Sequence, residues 1–185
     1  KEGYLCPMLH TIERKDDYIH KGRRQNLVQQ IKDLGITDEK VLDALMAVPR
    51  HFFLDPALEV IAYENRAFPI LADQTISHPY TVAFQTQLLD IQRFEKVLEI
   101  GTGSAYQACV LASMEARVYS IERQKKLFEY NNKFFYLKQF PNIKRFLGDG
   151  FKGLASYAPF DKVIVTCGAP FIPLELVNQL KVGGV

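Results

Sequence analysis

The chain has 185 residues, 48% apolar and 24% charged, enough for one globular domain with a sizeable core. A net charge of +2 is too small to argue for nucleic acid or an anionic membrane as partner, and no apolar stretch is long enough to span a bilayer. Cys6, Cys109 and Cys167 are scattered, with no Cys-x-x-Cys and no Cys/His cluster at ligand spacing, so no metal site is expected, and a reduced, cytoplasmic protein is.

Residues 1–15 are unpatterned and read as an N-terminal arm; 1–12 lack the long apolar region of a signal peptide. The single domain is expected over 16–185, as a helical part (16–62), a loop (63–80) and a sheet (81–185). From about Asp16, Leu27, Ile31 and Leu34 mark one helix face, and Gly35 reads as the stop. Thr37 is the expected N-cap of a second helix, with Asp38 and Glu39 in its first turn, Val41, Leu42, Leu45 and Met46 on its buried face, and Pro49 at its end. Arg50-His51 invite a nucleic-acid reading, but two basic residues after a helix read more simply as surface. A short helix is expected near Pro56–Ala62.

Residues 63–80 have no helical period and carry Pro69 and Pro79; a polar-aromatic loop of this kind has the composition of a lid or substrate loop. Thr75 and Ser77 offer hydroxyls at alternating positions. By itself Ser77 reads as the N-cap of a helix beginning at Pro79. His78 adjoins it, but without a Gly-x-Ser-x-Gly elbow a hydrolase triad is not expected.

A helix over Pro79–Asp90 leads to Val97-Leu98-Glu99-Ile100-Gly101-Thr102-Gly103-Ser104-Ala105-Tyr106, which reads as buried strand, glycine turn and helix. Tyr106 occupies the third glycine position of a dinucleotide fingerprint, so that match fails. Glu99 would repel a pyrophosphate and suits a cationic ligand such as S-adenosylmethionine. On these ten residues alone a methyl-donor site, a dinucleotide site and a structural turn all stay open, as does Glu99 as a cap or a solvated strand end. A second strand over Arg117–Ile121 ends at Glu122, 19 residues after Gly103, where a carboxylate can accept both ribose hydroxyls; the plain alternative is a solvated strand end. A helix carrying Leu127, Tyr130, Phe134 and Leu137 on its core face follows. A third strand, Ile143–Leu147, runs into Gly148-Asp149-Gly150, where Asp149 is placed to accept from adenine N6 or simply to make a turn. A fourth, Phe160–Thr166, is followed by the loop Cys167-Gly168-Ala169-Pro170, with Cys167 read as a small packed residue, and by a helix over Pro173–Leu180. Strands alternating with helices predict an α/β, doubly wound, mostly parallel Rossmann-like sheet.

With these residues in place, the chain resembles the protein-L-isoaspartate (D-aspartate) O-methyltransferases from about Val48 to Gly184. The likeness is carried by Val48-Pro49-Arg50, Ala62-Tyr63, Gln74-Thr75-Ile76-Ser77-x-Pro79-Tyr80, Val97–Gln107, Ser120-Ile121-Glu122-Arg123, Gly148-Asp149-Gly150, and Ala158-Pro159-Phe160-Asp161 with Val165-Thr166. The Gln-Thr-Ile-Ser motif is the most specific of these; the glycine loop and acids are shared by methyltransferases in general. The resemblance implies a class I methyltransferase fold with extra N-terminal helices. It also implies S-adenosylmethionine as donor, S-adenosylhomocysteine as product, and isoaspartyl proteins and peptides as substrates of a monomer. It places Ser77 as the catalytic-site hydroxyl. The donor would lie on Gln74, Thr75, Ile76, Ser77, Glu99, Gly101, Thr102, Gly103, Ser104, Glu122, Arg123, Asp149 and Gly150. The substrate would lie against Thr75, Ser77, Ala169 and Pro170. Three departures stand out: Ala105 for a usual glycine, which fits if its φ is negative; His78 for Gln or Ala; and Cys167-Gly168 for alanines. The family continues into two more strands, whereas this chain stops at Val185, so the C-terminal strands are expected to be missing. A small-molecule methyltransferase, an inactive donor-binding module and, less well matched, an NAD-dependent oxidoreductase are the competing functions.

Overall fold

The computed structural model describes residues 14–185; the expected arm, except for its last two residues, and Cys6 lie outside the described residues. Helix α1 (Tyr18–Asp33) starts at Asp17, whose side chain accepts from the amides of Ile19 and His20. It stops at Gly35, where φ is +104°. Leu27 and Ile31 are buried as expected, but Leu34 caps the helix past its last turn and is exposed. Helix α2 (Glu39–Ala47) is capped by Asp38 rather than Thr37. The Asp38 side chain accepts from the Lys40 amide, while the side-chain carbonyl of Gln87 accepts from the amides of both Thr37 and Asp38. Ala44 joins Val41, Leu42 and Leu45 on the buried face, leaving Met46 only partly covered. Two 3-10 turns follow, Arg50–Phe53 and Pro56–Ile61.

Within the loop ahead of the sheet, β1 (Phe68–Pro69) and β2 (Thr75–Ile76) pair antiparallel, and α3 (Pro79–Leu89) then runs to the sheet. The main sheet is wholly parallel. It consists of β3 (Lys96–Ile100), β4 (Arg117–Glu122), β5 (Ile143–Leu147) and β6 (Lys162–Val165), in the order β5-β4-β3-β6. Helix α4 (Tyr106–Ser113) links β3 to β4 and α5 (Lys125–Asn132) links β4 to β5; the chain then crosses the sheet to put β6 on the far side of β3. The winding direction therefore changes between β3 and β6, and a crevice opens at their carboxyl ends. Strand alternation divides the core. Val97, Val118 and Ile164 face the helices α1–α4; Leu98, Ile100, Tyr119 and Ile121 face the opposite way, toward Phe160 and Leu176.

Three expected elements are shorter. The helix drawn from Leu127 to Leu137 ends at Asn132, and a 3-10 turn (Phe135–Gln139) begins after Phe134. Phe134 is buried edge-on against Phe53, and breaking the helix lets Phe134, Phe135 and Tyr136 pack round Phe52 and Phe53. Phe160 pairs with Leu180 outside the β6 ladder, so β6 starts at Lys162 and α6 is only Leu174–Val177.

Candidate active site

The glycine turn after β3 is tied on every side. The amides of Gly101 and Thr102 donate to the Ile121 carbonyl (2.9 and 3.2 Å), and the Thr166 hydroxyl donates to the carbonyls of Ile100 and Gly101 (3.0 and 2.7 Å). Gly101 has φ +101°, and a Cβ there would lie 3.0 Å from the Cβ of Cys167, so the position needs glycine for both conformation and space. The Gly103 amide donates to Glu122 (2.8 Å), and its carbonyl accepts from Asn131 (2.8 Å). The second Glu122 oxygen accepts from the Gln124 amide (2.7 Å). A carboxylate thus takes the turn amide that a pyrophosphate would need, and the Ser104 hydroxyl accepts from the Tyr106 amide at the start of α4 (3.3 Å). Both contacts weaken the dinucleotide alternative. Ala105 is left-handed, with φ +69° and ψ 12°, so the negative φ on which an easy fit depends is not adopted.

Glu99 points away from the crevice. It lies on the face of β3 that meets α4, is fully buried, and accepts from the Ser120 hydroxyl, which contacts the Thr102 hydroxyl (2.6 Å). Its other oxygen has no hydrogen-bond partner among the described residues. Burial pushes its pKa up to about 8, against the pull of the Ser120 hydrogen bond. The expectation that Glu99 meets a cationic ligand directly is therefore corrected: this side chain sits beneath the turn, because alternation along β3 sends Leu98 and Ile100, not Glu99, to the face that meets β6's loop.

Ser77 follows β2. The N-cap of α3 is His78, whose side chain makes no capping bond, and among the described residues the Ser77 hydroxyl has no hydrogen-bond partner. The capping role read from its position next to Pro79 is not what this hydroxyl does. The Ser77 carbonyl accepts from Arg50 (2.9 Å). Arg50 and His51, expected at the surface, are both fully buried. His51 stacks on His20 (centroids 3.9 Å apart, planes 7° apart) and bonds the Tyr63 hydroxyl (2.7 Å); burial takes its pKa down to about 4.

A cavity of about 340 Å³ joins these parts. Of the residues expected at a site, Gln74, Thr75, Ile76, Ser77, Gly101, Thr102, Gly103, Ser104, Glu122, Arg123, Asp149, Gly150 and Ala169 line it; Glu99 and Pro170 do not. Asp149 is exposed there, and one of its oxygens accepts from the Phe151 amide (3.0 Å), leaving further acceptor capacity toward the cavity. Gly150 has to be small, since a Cβ there would meet Ile100 at 2.3 Å.

Residues 22–185 match the sequence model of the family described as protein-L-isoaspartate(D-aspartate) O-methyltransferase. The chain belongs to this family. It is similar to the protein-L-isoaspartate O-methyltransferase of Christiangramia forsetii, at 55% identity over 92% of this chain and 80% of that protein. The similarity to the protein of the same name from Flavobacterium johnsoniae is 52%, over the same shares. In structure it is similar to a solved protein-L-isoaspartate O-methyltransferase (TM-score 0.79, 28% identity), covering 87% of this chain and 53% of that one. It also shares its fold with a Plasmodium falciparum protein described as a putative member, solved with S-adenosyl-L-homocysteine (TM-score 0.72, 22% identity, 87% and 81% covered).

The lining also includes residues that the sequence motifs did not single out for the site. Cys167 is exposed and faces the cavity, not packed in the core, and Phe151, Thr166, Tyr106 and Gln107 join it. Cys167 and Thr166 had a signal: they stand at the carboxyl end of a strand, but only the β3–β6 adjacency makes that end part of the crevice. Gln107, which donates to Thr86 (2.9 Å), has a buried side-chain oxygen without a partner among the described residues. Away from the cavity, Asp16, His20 and His51 hold metal-ligand atoms within 4.8 Å of one another. Each is already engaged: Asp16 with both terminal nitrogens of Arg24, His20 with Asp17 and Glu59, and His51 with Tyr63 and the Lys15 carbonyl. With Arg24 against Asp16 and Arg14 against Glu59, the cluster is a partly exposed ion-pair network whose ligand atoms are all engaged among the described residues.

Proposed function

We propose that the chain transfers a methyl group from S-adenosylmethionine to the free carboxylate of L-isoaspartyl and D-aspartyl residues in damaged proteins. Family membership and 50–55% identity to proteins of that name support the reaction. The observation that carries it in this chain is the Ser77 hydroxyl, without a hydrogen-bond partner among the described residues, in the same cavity as the Glu122-bound glycine turn.

The residues fit the donor. A cavity with two carboxylates, several hydroxyls and one arginine suits a cationic, hydroxyl-rich nucleoside better than a phosphate. When bound, S-adenosylmethionine supplies a methyl group on a sulfonium, ready for in-line displacement by a carboxylate oxygen. Glu122 holds the turn and keeps lone pairs free for the ribose hydroxyls, and Asp149 faces the adenine amine. Gln74, Thr75, Ile76, Gly101 to Ser104, Arg123 and Gly150 complete the donor walls. Ser77 donates to the substrate carboxylate and orients one of its oxygens; it takes no proton, because a carboxylate is already ionised at neutral pH. Thr75 and Ala169 shape the entrance for the substrate chain, and the buried walls from Ile100, Val82 and Leu176 exclude water.

We place the protein in the cytoplasm as a monomer that acts on proteins and not on nucleic acid or membranes, in keeping with its free Cys109 and Cys167 and its net charge of +2. Among the described residues no helix is long and apolar enough to cross a membrane. The deciding experiment offers labelled S-adenosylmethionine with paired peptides that differ only in an isoaspartyl or aspartyl linkage. Label is expected in the isoaspartyl peptide alone. Equal labelling of both, or label only in a small-molecule acid, would replace this function, and donor binding without any transfer would make the chain a binding module.

A further inference from the structure

Among the described residues Arg50 is the largest fully buried side chain, and none of their carboxylates pairs with it. One terminal nitrogen donates to the carbonyls of Arg66 (3.2 Å) and Ser77 (2.9 Å). Its Nε and other terminal nitrogen have no hydrogen-bond partner among the described residues. Its guanidinium carbon lies 5.1 Å from the centre of the Tyr106 ring, and Tyr106 lines the cavity. The other buried arginine of this region, Arg24, is neutralised by Asp16. A buried cation without a counter-ion is costly and is normally paired. Arg50 instead donates to the backbone carbonyl of the residue whose hydroxyl lines the cavity, and among the described residues only the tyrosines Tyr106 and Tyr63, and no carboxylate, offset its charge.

We propose that Arg50 is a specificity residue for the anionic substrate: its unpaired positive charge, held behind Ser77 and Tyr106, draws the isoaspartyl carboxylate into the cavity. The missing counter-ion is supplied by the substrate. This rests on the methyl transfer described above and adds to it which residue selects the charged acceptor. The chemistry sets the sign of the effect. Transfer forms a C–O bond to the carboxylate and breaks the C–S bond, with the electron pair remaining on sulfur, so the negative and positive charges disappear together. A fixed cation therefore favours the bound carboxylate over the less charged transition state. Its removal is felt in substrate affinity and not as a fall in kcat. The same charge disfavours the cationic donor, so removing it leaves donor affinity unchanged or improved. A unit charge about 10 Å from the carboxylate, at an effective dielectric near 20, is worth on the order of tenfold in affinity or more.

The test compares Arg50→Gln, which keeps an N–H donor and loses the charge, with Arg50→Lys, which keeps the charge and loses the fork. Isoaspartyl-peptide affinity is read by calorimetry on protein saturated with S-adenosylhomocysteine, S-adenosylmethionine affinity separately, and methyl transfer as kcat and KM. Expected for Arg50→Gln is peptide Kd and KM raised about tenfold, kcat not reduced, and donor affinity equal or tighter. Arg50→Lys is expected to restore most of the peptide affinity. A glutamine variant with native peptide affinity overturns the proposal, as does one that loses kcat with KM unchanged. If Arg50→Gln does not fold, the lysine variant decides: peptide affinity weakened as much as tenfold with the donor still bound overturns it, and near-native peptide affinity supports it. Absence of isoaspartyl methylation in the native protein would sink the proposed reaction itself, whereas native methylation with an indifferent Arg50→Gln would sink this inference alone.

Discussion

Ser77→Ala separates the chemistry from the fold at the position that matters most. The native hydroxyl has no hydrogen-bond partner among the described residues, and the N-cap of α3 is His78. Removing it leaves no orphaned donor or acceptor and no uncapped helix, so stability should change by less than about 0.5 kcal/mol, the range of a substitution outside such features. A capping serine would instead cost about 1 kcal/mol. If the hydroxyl is a preorganised donor to the carboxylate in the transition state, kcat should fall by about 10²-fold, close to 2.7 kcal/mol at 1.36 kcal/mol per decade. Donor affinity should hold, since Glu122 and the glycine turn are untouched. The assay is steady-state methylation of an isoaspartyl peptide, with a melting curve and donor calorimetry on the same protein. Ser77→Asp sharpens the test by placing a negative charge against the incoming carboxylate, and it should abolish peptide binding while the protein stays folded. Native kcat in the alanine variant, or a stable and fully active aspartate variant, would show that the reacting carboxylate lies elsewhere.

Three further outcomes follow from the geometry. Ala105 sits at φ +69°, a region that costs a residue with a Cβ roughly 1 kcal/mol or more, so Ala105→Gly should raise stability by about that amount and Tm by roughly 2–4 °C; an unchanged Tm would show that the alanine is unstrained. Glu99, with a folded pKa near 8 against 4.5 unfolded, keeps a proton that the unfolded chain releases. Its contribution to stability is therefore lost as pH rises from about 4.5 to 8 and levels off above that, and Glu99→Gln should flatten this part of the urea-stability profile; identical slopes in both proteins would refute the assignment. His51 works the other way, its contribution being lost as pH falls from 6.5 toward 4, so the comparison is best made above pH 6.5. Glu122→Gln forces an amide N–H₂ against the Gly103 or Gln124 amide and should cost about 1–3 kcal/mol of stability together with weaker donor binding; calorimetry and melting at native values would free Glu122 from both roles.

Local order along the chain was enough to determine the kinds of element and the ends at which chemistry collects. The apolar run Val97–Ile100 followed by two glycines dictates strand and turn, and the carboxylates Glu122 and Asp149 fall at or just after strand ends, where they accept from the free amides of the turns. Half of the residues that line the cavity were among those expected at the site, Gln74 to Ser77 chiefly through the family resemblance. What tertiary structure alone decided is which face each side chain presents and what it meets. Alternation says that Glu99 opposes Leu98 and Ile100, but only the packing of α4 on one face and the β6 loop on the other tells which side holds the cavity. Cys167 and Thr166 reach the site only because the chain crosses the sheet to put β6 beside β3, a pairing between residues more than sixty positions apart. Arg50 and His51 look like surface because their sequence neighbours carry no sign of what covers them. They are buried by Tyr106, Ser77, Tyr63 and His20, contributed by distant parts of the chain, and a buried charge of this kind is tolerated only by contacts that no local period encodes.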